Sequence, residues 1–147
     1  MTIAHKKVQV GLTLAVLFLM TLVTGIILHL KKHGIIMEPR YIIKLVHWIF
    51  GVAMIILGCW HMMQFRKVLS SMKSSFRWFW YDTVAVVVFA VLAFVTGAVK
   101  LLSPIKIPNL GMWHYMLGIA MAVFVFIHLV RGVPAWIKMN SMCRKHN

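Results

Sequence analysis

Only two acidic side chains, Glu38 and Asp82, stand against 16 lysines and arginines, and the formal net charge is +14. In a soluble domain that excess would point to nucleic acid. Here the basic residues flank long uncharged runs, which excludes nucleic acid as the partner and favours anionic lipid headgroups. Cysteine is nearly absent: Cys59 falls inside an apolar run, Cys143 in the tail, and no Cys-x-x-Cys-His occurs. Covalent c-type haem attachment and a disulfide framework are thereby excluded, and Cys59 reads as a small buried packing residue. The four prolines, Pro39, Pro104, Pro108 and Pro134, fall in loops or just beyond the apolar runs, so they punctuate the runs without breaking them. No segment outside the runs is long enough to fold alone.

What the chain has in abundance is apolar surface, 62% of its residues. The uncharged stretches Val10–Leu28, Leu45–Phe65, Thr83–Val99 and Ile107–Val130 are each near or above the roughly 20 residues needed to cross about 30 Å of hydrocarbon. Residues 1–147 therefore read as one transmembrane domain, an all-α, integral membrane, antiparallel four-helix bundle with helices at about 8–30, 41–65, 79–102 and 108–133. The first run follows Lys6 and Lys7 as a signal peptide would. It is too long and lacks a small-residue cleavage site, so it reads as a permanent helix.

An even number of spans puts both termini on one face. That face carries Lys6, Lys7, Arg66, Lys67, Lys73, Arg77, Arg131, Lys138, Arg144 and Lys145, ten residues, against six on the other, Lys31, Lys32, Arg40, Lys44, Lys100 and Lys106. The positive-inside rule makes both termini cytoplasmic in a multi-pass protein. Tyr41, Trp48, the run Trp78-Phe79-Trp80-Tyr81, Trp113 and Trp136 fall near the span ends, where an aromatic belt anchors.

The chain also repeats itself. His47-Trp-Ile-Phe-Gly51-Val-Ala53-Met54 aligns with His114-Tyr-Met-Leu-Gly118-Ile-Ala120-Met121, and Val23-Thr24-Gly25 with Val95-Thr96-Gly97. A duplicated helical hairpin is the simplest account, and it makes the second and fourth helices parallel.

Each of those two helices carries a pair of histidines 14 residues apart, His47 with His61 and His114 with His128. Fourteen residues are close to four turns, so the pair shares a face and is separated by about 21 Å along the axis. Topology matches His47 with His114 at one depth and His61 with His128 at the other. Neutral imidazole is an axial ligand of haem iron, and intramembrane ionisable groups are costly unless they serve a function. The four histidines are thus read as ligands of two bis-histidine haems.

A macrocycle needs space free of side chains, and Gly51 and Gly118, each four residues after a histidine, provide it on that histidine's face. Gly11 and Gly25 in the first helix are also 14 apart, matching the two levels, whereas Gly97 has Thr83 at that interval. Met54 and Met121 are expected to line the space between haems. Arg131, three residues past His128, is a candidate partner for a haem propionate, as are Arg66, Lys67 and Lys44. His29 is the likeliest spare ligand; His5, His33 and His146 lie at or beyond span ends. Asp82 reads as the N-cap of the third helix, or as a proton-exchange group for quinone.

Two parallel helices with His-x13-His resemble the membrane cytochrome b superfamily, including the di-haem core of quinol-cytochrome c reductase. The likeness is closer to small four-helix bacterial cytochromes. Thr24-Gly25, the His47 to His61 helix, Thr96-Gly97 with Ser103-Pro104, Trp113-His114-Tyr115, Leu117-Gly118 and His128-Leu129 look like the flavinylation-associated cytochrome group. The resemblance covers nearly the whole chain, with only the histidines and glycines specific. It implies two b-type haems, a bacterial inner membrane, and electron transfer between the quinone pool and an extracytoplasmic flavin or other redox protein. The resemblance thus implies quinone and that redox protein as partners; membrane lipid follows from the basic residues that flank the spans, and self-association into a homo-oligomer is left open. Two alternatives stand beside it: a superoxide oxidase that reduces quinone, with Lys31, Lys32 and His33 as a cationic mouth, and a transmembrane metal-ion carrier using histidine and methionine.

Overall fold

A computed structural model describes the backbone of residues 3–32, 34, 40–75 and 77–145, and the side chains of 8–30, 32, 34, 41–66, 80–134 and 137. Four helices follow one another, α1 (Ile3–Lys32), α2 (Arg40–Ser75), α3 (Arg77–Leu102) and α4 (Leu110–Lys145). Each contains a stretch long and apolar enough to cross a membrane: Val8–Leu30, Tyr41–Arg66, Trp80–Leu102 and Leu110–Pro134. Helices suit that composition because hydrocarbon supplies no hydrogen-bond partners, so every backbone group must be satisfied within its own segment. Leucine, valine, isoleucine and phenylalanine lie exposed all along the outer faces, Leu12, Ile56, Val91 and Phe126 among them. These are the surfaces lipid would cover, and they make this a multi-pass membrane protein by length and composition.

The helices form an antiparallel four-helix bundle. α1 packs along α2 and α3 along α4 as two tight hairpins, joined by lighter α1–α4 and α2–α3 contacts. Across the diagonals, α2 with α4 and α1 with α3, no described Cα atoms come within 8 Å. The two histidine-bearing helices thus face each other over a gap. Little fills the centre: Ala93 and Met121 are the only buried apolar residues among those described, with Thr21 and Asp82 their polar counterparts, and none is completely enclosed.

The turn between α3 and α4 explains the register of the second hairpin. Ser103 Oγ binds the Ile105 backbone, Pro104 and Pro108 block helix continuation, and Asn109 takes a positive φ of 59°, which asparagine tolerates. Its carbonyl then accepts from the N–H groups of Met112 and Trp113 and starts α4.

Several expectations are corrected. α2 does not end near 65, nor α4 near 133: both run on for about three turns, so the segment 66–75 is helix rather than loop. Pro134 consequently lies inside α4, at the residue where the apolar span ends. α3 begins at Arg77, so Asp82 sits in its second turn and cannot be its N-cap. Cys59 is exposed on the outer face of α2, not buried. The sequence readings of His5, His33, His146, Glu38, Pro39, Cys143, Lys31, Lys67, Trp78, Phe79 and Trp136 fall outside the described side chains.

Candidate functional site, two histidine levels in one bundle

At the hairpin end, where α1 gives way to α2 and α3 to α4, a cavity of about 680 Å³ opens between the diagonal helices. His47, His114, Gly51, Gly118, Met54 and Met121 are among its lining residues. Its size lies within the roughly 300–1,000 Å³ of cofactor and ligand pockets. A Cβ added to Gly51 or Gly118 would meet nothing within 4 Å, so these two glycines border open space.

The two histidines are held identically by the two hairpins. His47 Nδ1 lies 3.0 Å from the Thr21 carbonyl oxygen and 3.1 Å from Thr24 Oγ1. His114 Nδ1 lies 2.9 Å from the Ala93 carbonyl oxygen and 3.2 Å from Thr96 Oγ1. A carbonyl can only accept. The threonine hydroxyls have their protons engaged by the carbonyls one turn back, Thr24 with Met20 at 2.7 Å and Thr96 with Leu92 at 2.8 Å. Every neighbour of Nδ1 is therefore an acceptor, so Nδ1 carries the proton and Nε2 keeps the lone pair. Nε2 of each ring is thereby left as the acceptor nitrogen, with the ring orientation fixed through Nδ1.

The ring centres are 6.1 Å apart and the planes lie at 88°. Two imidazoles bound end-on to one metal at about 2 Å each would put their centres about 6 Å apart. Glycine makes the close approach possible. A Cβ on Gly25 would stand 3.1 Å from His47 Cε1, and one on Gly97 only 2.9 Å from His114 Cε1. Gly25, expected to cradle a macrocycle, instead gives room first to an imidazole, although it borders the cavity as well. Gly11 stands likewise toward His61, at 4.0 Å from its Cε1.

Three lysines, Lys32, Lys44 and Lys100, border the same cavity. Lys100 is close enough to act electrostatically on both His47 and His114, and it lies over Gly111, whose Cβ would be 3.2 Å from its Nζ. Sequence reasoning missed Lys100 because it looked like one more span-end base. Its place three residues after Gly97, on the histidine face of α3, was the available signal. His29 also borders the cavity and stacks on Tyr115, ring centres 3.8 Å apart.

The terminal end is arranged differently. His61 and His128 are near enough to interact electrostatically. His61 leans on Phe65 at 4.8 Å, and its buried Nδ1 has no hydrogen bond among the described residues. His128 Nδ1 lies 3.3 Å from Asp82 Oδ2. Arg131 is exposed about one turn beyond His128, as is Arg66 beyond His61. A crevice of about 360 Å³ between α1 and α2 is lined by Gln9, Val10, Thr13, Leu57, Trp60 and Gln64.

Among the described residues no three His, Cys, Asp or Glu side chains converge into a bare metal site. His47 and His114 approach to 6.1 Å between ring centres, and His61 and His128 are near enough to interact electrostatically. No known family model matches the chain. Neither a curated protein nor a solved structure matches it.

Proposed function

We propose that this protein is a membrane electron-transfer cytochrome b that exchanges electrons between the quinone pool and an extracytoplasmic redox protein. Two b haems are held in it, one by His47 and His114, the other by His61 and His128. The observation that carries this reading is the hairpin-end pair: two imidazoles across a glycine-bordered cavity, each with Nδ1 committed to a backbone carbonyl, at the 6.1 Å spacing of a shared metal.

The residues fit a flat group of this kind. Gly51 and Gly118 leave its faces clear, Met54 and Met121 close the apolar floor, and Lys32, Lys44 and Lys100 offer charge for carboxylates at the rim. When bound, haem supplies a one-electron couple, which no side chain of this chain provides. The protein's contribution would be to hold His47 and His114 on either side of the group, which would favour electron transfer over activation of oxygen.

The excess of basic residues at the terminal end supports cytoplasmic termini in a bacterial inner membrane, with the hairpin end facing the external partner. The α1–α2 crevice, where the half-exposed Trp60 adjoins the amide and hydroxyl groups of Gln9, Thr13 and Gln64, supports a quinone headgroup nearer the termini. A second reading, oxidation of superoxide with reduction of quinone, is favoured by the lysines at the cavity rim, since a small anion would be drawn there.

The deciding experiment is a dithionite-reduced minus oxidised spectrum of the purified chain, with a pyridine haemochrome assay. Two b haems per chain are expected. One would leave a single ligand pair, and a colourless protein would end the proposal. Rapid quinone reduction by superoxide in the same preparation would move the reading to the oxidase.

A further inference from the structure

Asp82 is the only acid within the four apolar spans. Removed from the helix N-terminus by the start of α3 at Arg77, it loses the simplest reason for its presence. Its side chain is 3% exposed, and neither oxygen completes a hydrogen bond among the described residues. A carboxylate in such a place is expensive unless a partner compensates it. A described basic neighbour is His128, whose Nδ1 is 3.3 Å from Oδ2.

The internal repeat says what this position is for. Asp82 precedes Thr96 by 14 residues on α3, and His128 follows His114 by 14 on the antiparallel α4. Each step is close to four turns on one face. Asp82 therefore stands to His128 as Thr96 stands to His114, where the threonine oxygen lies 3.2 Å from the ring nitrogen. In the first hairpin the same register, 14 residues before Thr24, is held by Val10, which can accept nothing. His61 Nδ1 is correspondingly without a hydrogen bond among the described residues. Two of the four ring nitrogens thus lie against a carbonyl and a hydroxyl and one beside a carboxylate, while the register position behind the fourth is a valine.

We propose that Asp82 is a positioning residue for His128: its carboxylate accepts the Nδ1 proton, holds Nε2 toward the metal, and makes the terminal-level haem the harder of the two to reduce. The inference rests on the cytochrome reading above. A carboxylate behind a ligating imidazole makes that imidazole a stronger donor and adds negative charge close to the iron, and both effects favour the oxidised metal. Among the described residues the partners of His47 and His114 Nδ1 are neutral carbonyl and hydroxyl oxygens, so the two levels should differ in potential.

The test is a potentiometric titration of the full-length chain carrying its haem, comparing wild type with D82N and D82E. Asparagine keeps the shape and removes the charge; glutamate keeps the charge. In wild type two midpoints are expected. In D82N one midpoint should move upward and the other stay, with both haems retained, and D82E should return it toward the wild-type value. The moving midpoint should be the one that disappears in H128A. A shift of both midpoints together, a shift of neither, or a shift of the one that survives in H128A overturns the assignment. Should D82N lose a haem, loss of the one that H128A also loses supports a positioning role, and loss of the other or of both overturns it. A wild-type chain without haem fails earlier, in its own spectrum, and that failure belongs to the cytochrome reading.

Discussion

The hairpin end and the terminal end of this bundle are built from the same repeated hairpin, yet the first is symmetric and the second is not. At the hairpin end both histidines find a carbonyl, a threonine oxygen and a glycine in the same register. At the terminal end one glycine has become Thr83 and one valine has become Asp82, and only His128 has an acidic neighbour. The lesson is that the repeat fixes where the histidines stand, while single substitutions behind them decide how alike their surroundings are.

The largest effect should come from the ligands themselves. His47→Ala or His114→Ala should remove the hairpin-level haem and spare the other, and His61→Ala or His128→Ala should do the reverse, with haem per chain falling from two to one in each case. If His114→Ala left two haems while His29→Ala removed one, the pairing would be wrong, and the His29–Tyr115 stack would have to open to permit it.

Next in size is filling the cavity. Gly51→Leu or Gly118→Leu places a side chain where a Cβ meets nothing within 4 Å. The haem-free bundle should tolerate either change, and should gain up to about 1 kcal/mol from replacing a helical glycine. The hairpin-level haem should nevertheless be lost, because the leucine occupies its place. A melting temperature that fell together with haem content would show that these glycines serve helix packing instead.

A graded series separates room for a ring from room for a macrocycle. Gly97→Ala, Gly25→Ala and Gly11→Ala put a methyl group 2.9, 3.1 and 4.0 Å from a histidine Cε1. Overpacking of the first kind costs about 1–3 kcal/mol, roughly ten- to a hundredfold in affinity if it falls on haem binding. Haem retention should therefore fall most in Gly97→Ala, less in Gly25→Ala, and hardly at all in Gly11→Ala. An equal loss in all three would sever the link between glycine and imidazole.

How much of this could be read beforehand follows the same division. The four spans, the bundle, the histidine intervals and the open space beside Gly51 and Gly118 were legible because hydropathy and helical periodicity are carried by side chains. The carbonyls of Thr21 and Ala93 were not, because a backbone acceptor leaves no mark in a sequence, and alanine and threonine serve it equally. Asp82 was misplaced because helix starts are weakly encoded: α3 begins at Arg77, and that small displacement turns a cap into a buried neighbour of His128. Helix beyond the spans, as in α2 and α4, was missed because apolarity marks the membrane's thickness and not where the helix stops.

The smallest effect, and the sharpest test of symmetry, is expected from the threonines. Thr24→Val and Thr96→Val each remove one oxygen near a ring nitrogen and leave the carbonyl in place. Because the proton on Nδ1 keeps its stronger acceptor, the tautomer should survive, and the loss should be that of one neutral hydrogen bond, about 0.5–1.5 kcal/mol. Haem transfer to an excess of a high-affinity acceptor protein should quicken by about tenfold at most, to the same extent in either variant. Unequal rates would mean that the two hairpins do not grip their histidines alike, and that the asymmetry begun at Asp82 reaches the other end of the bundle.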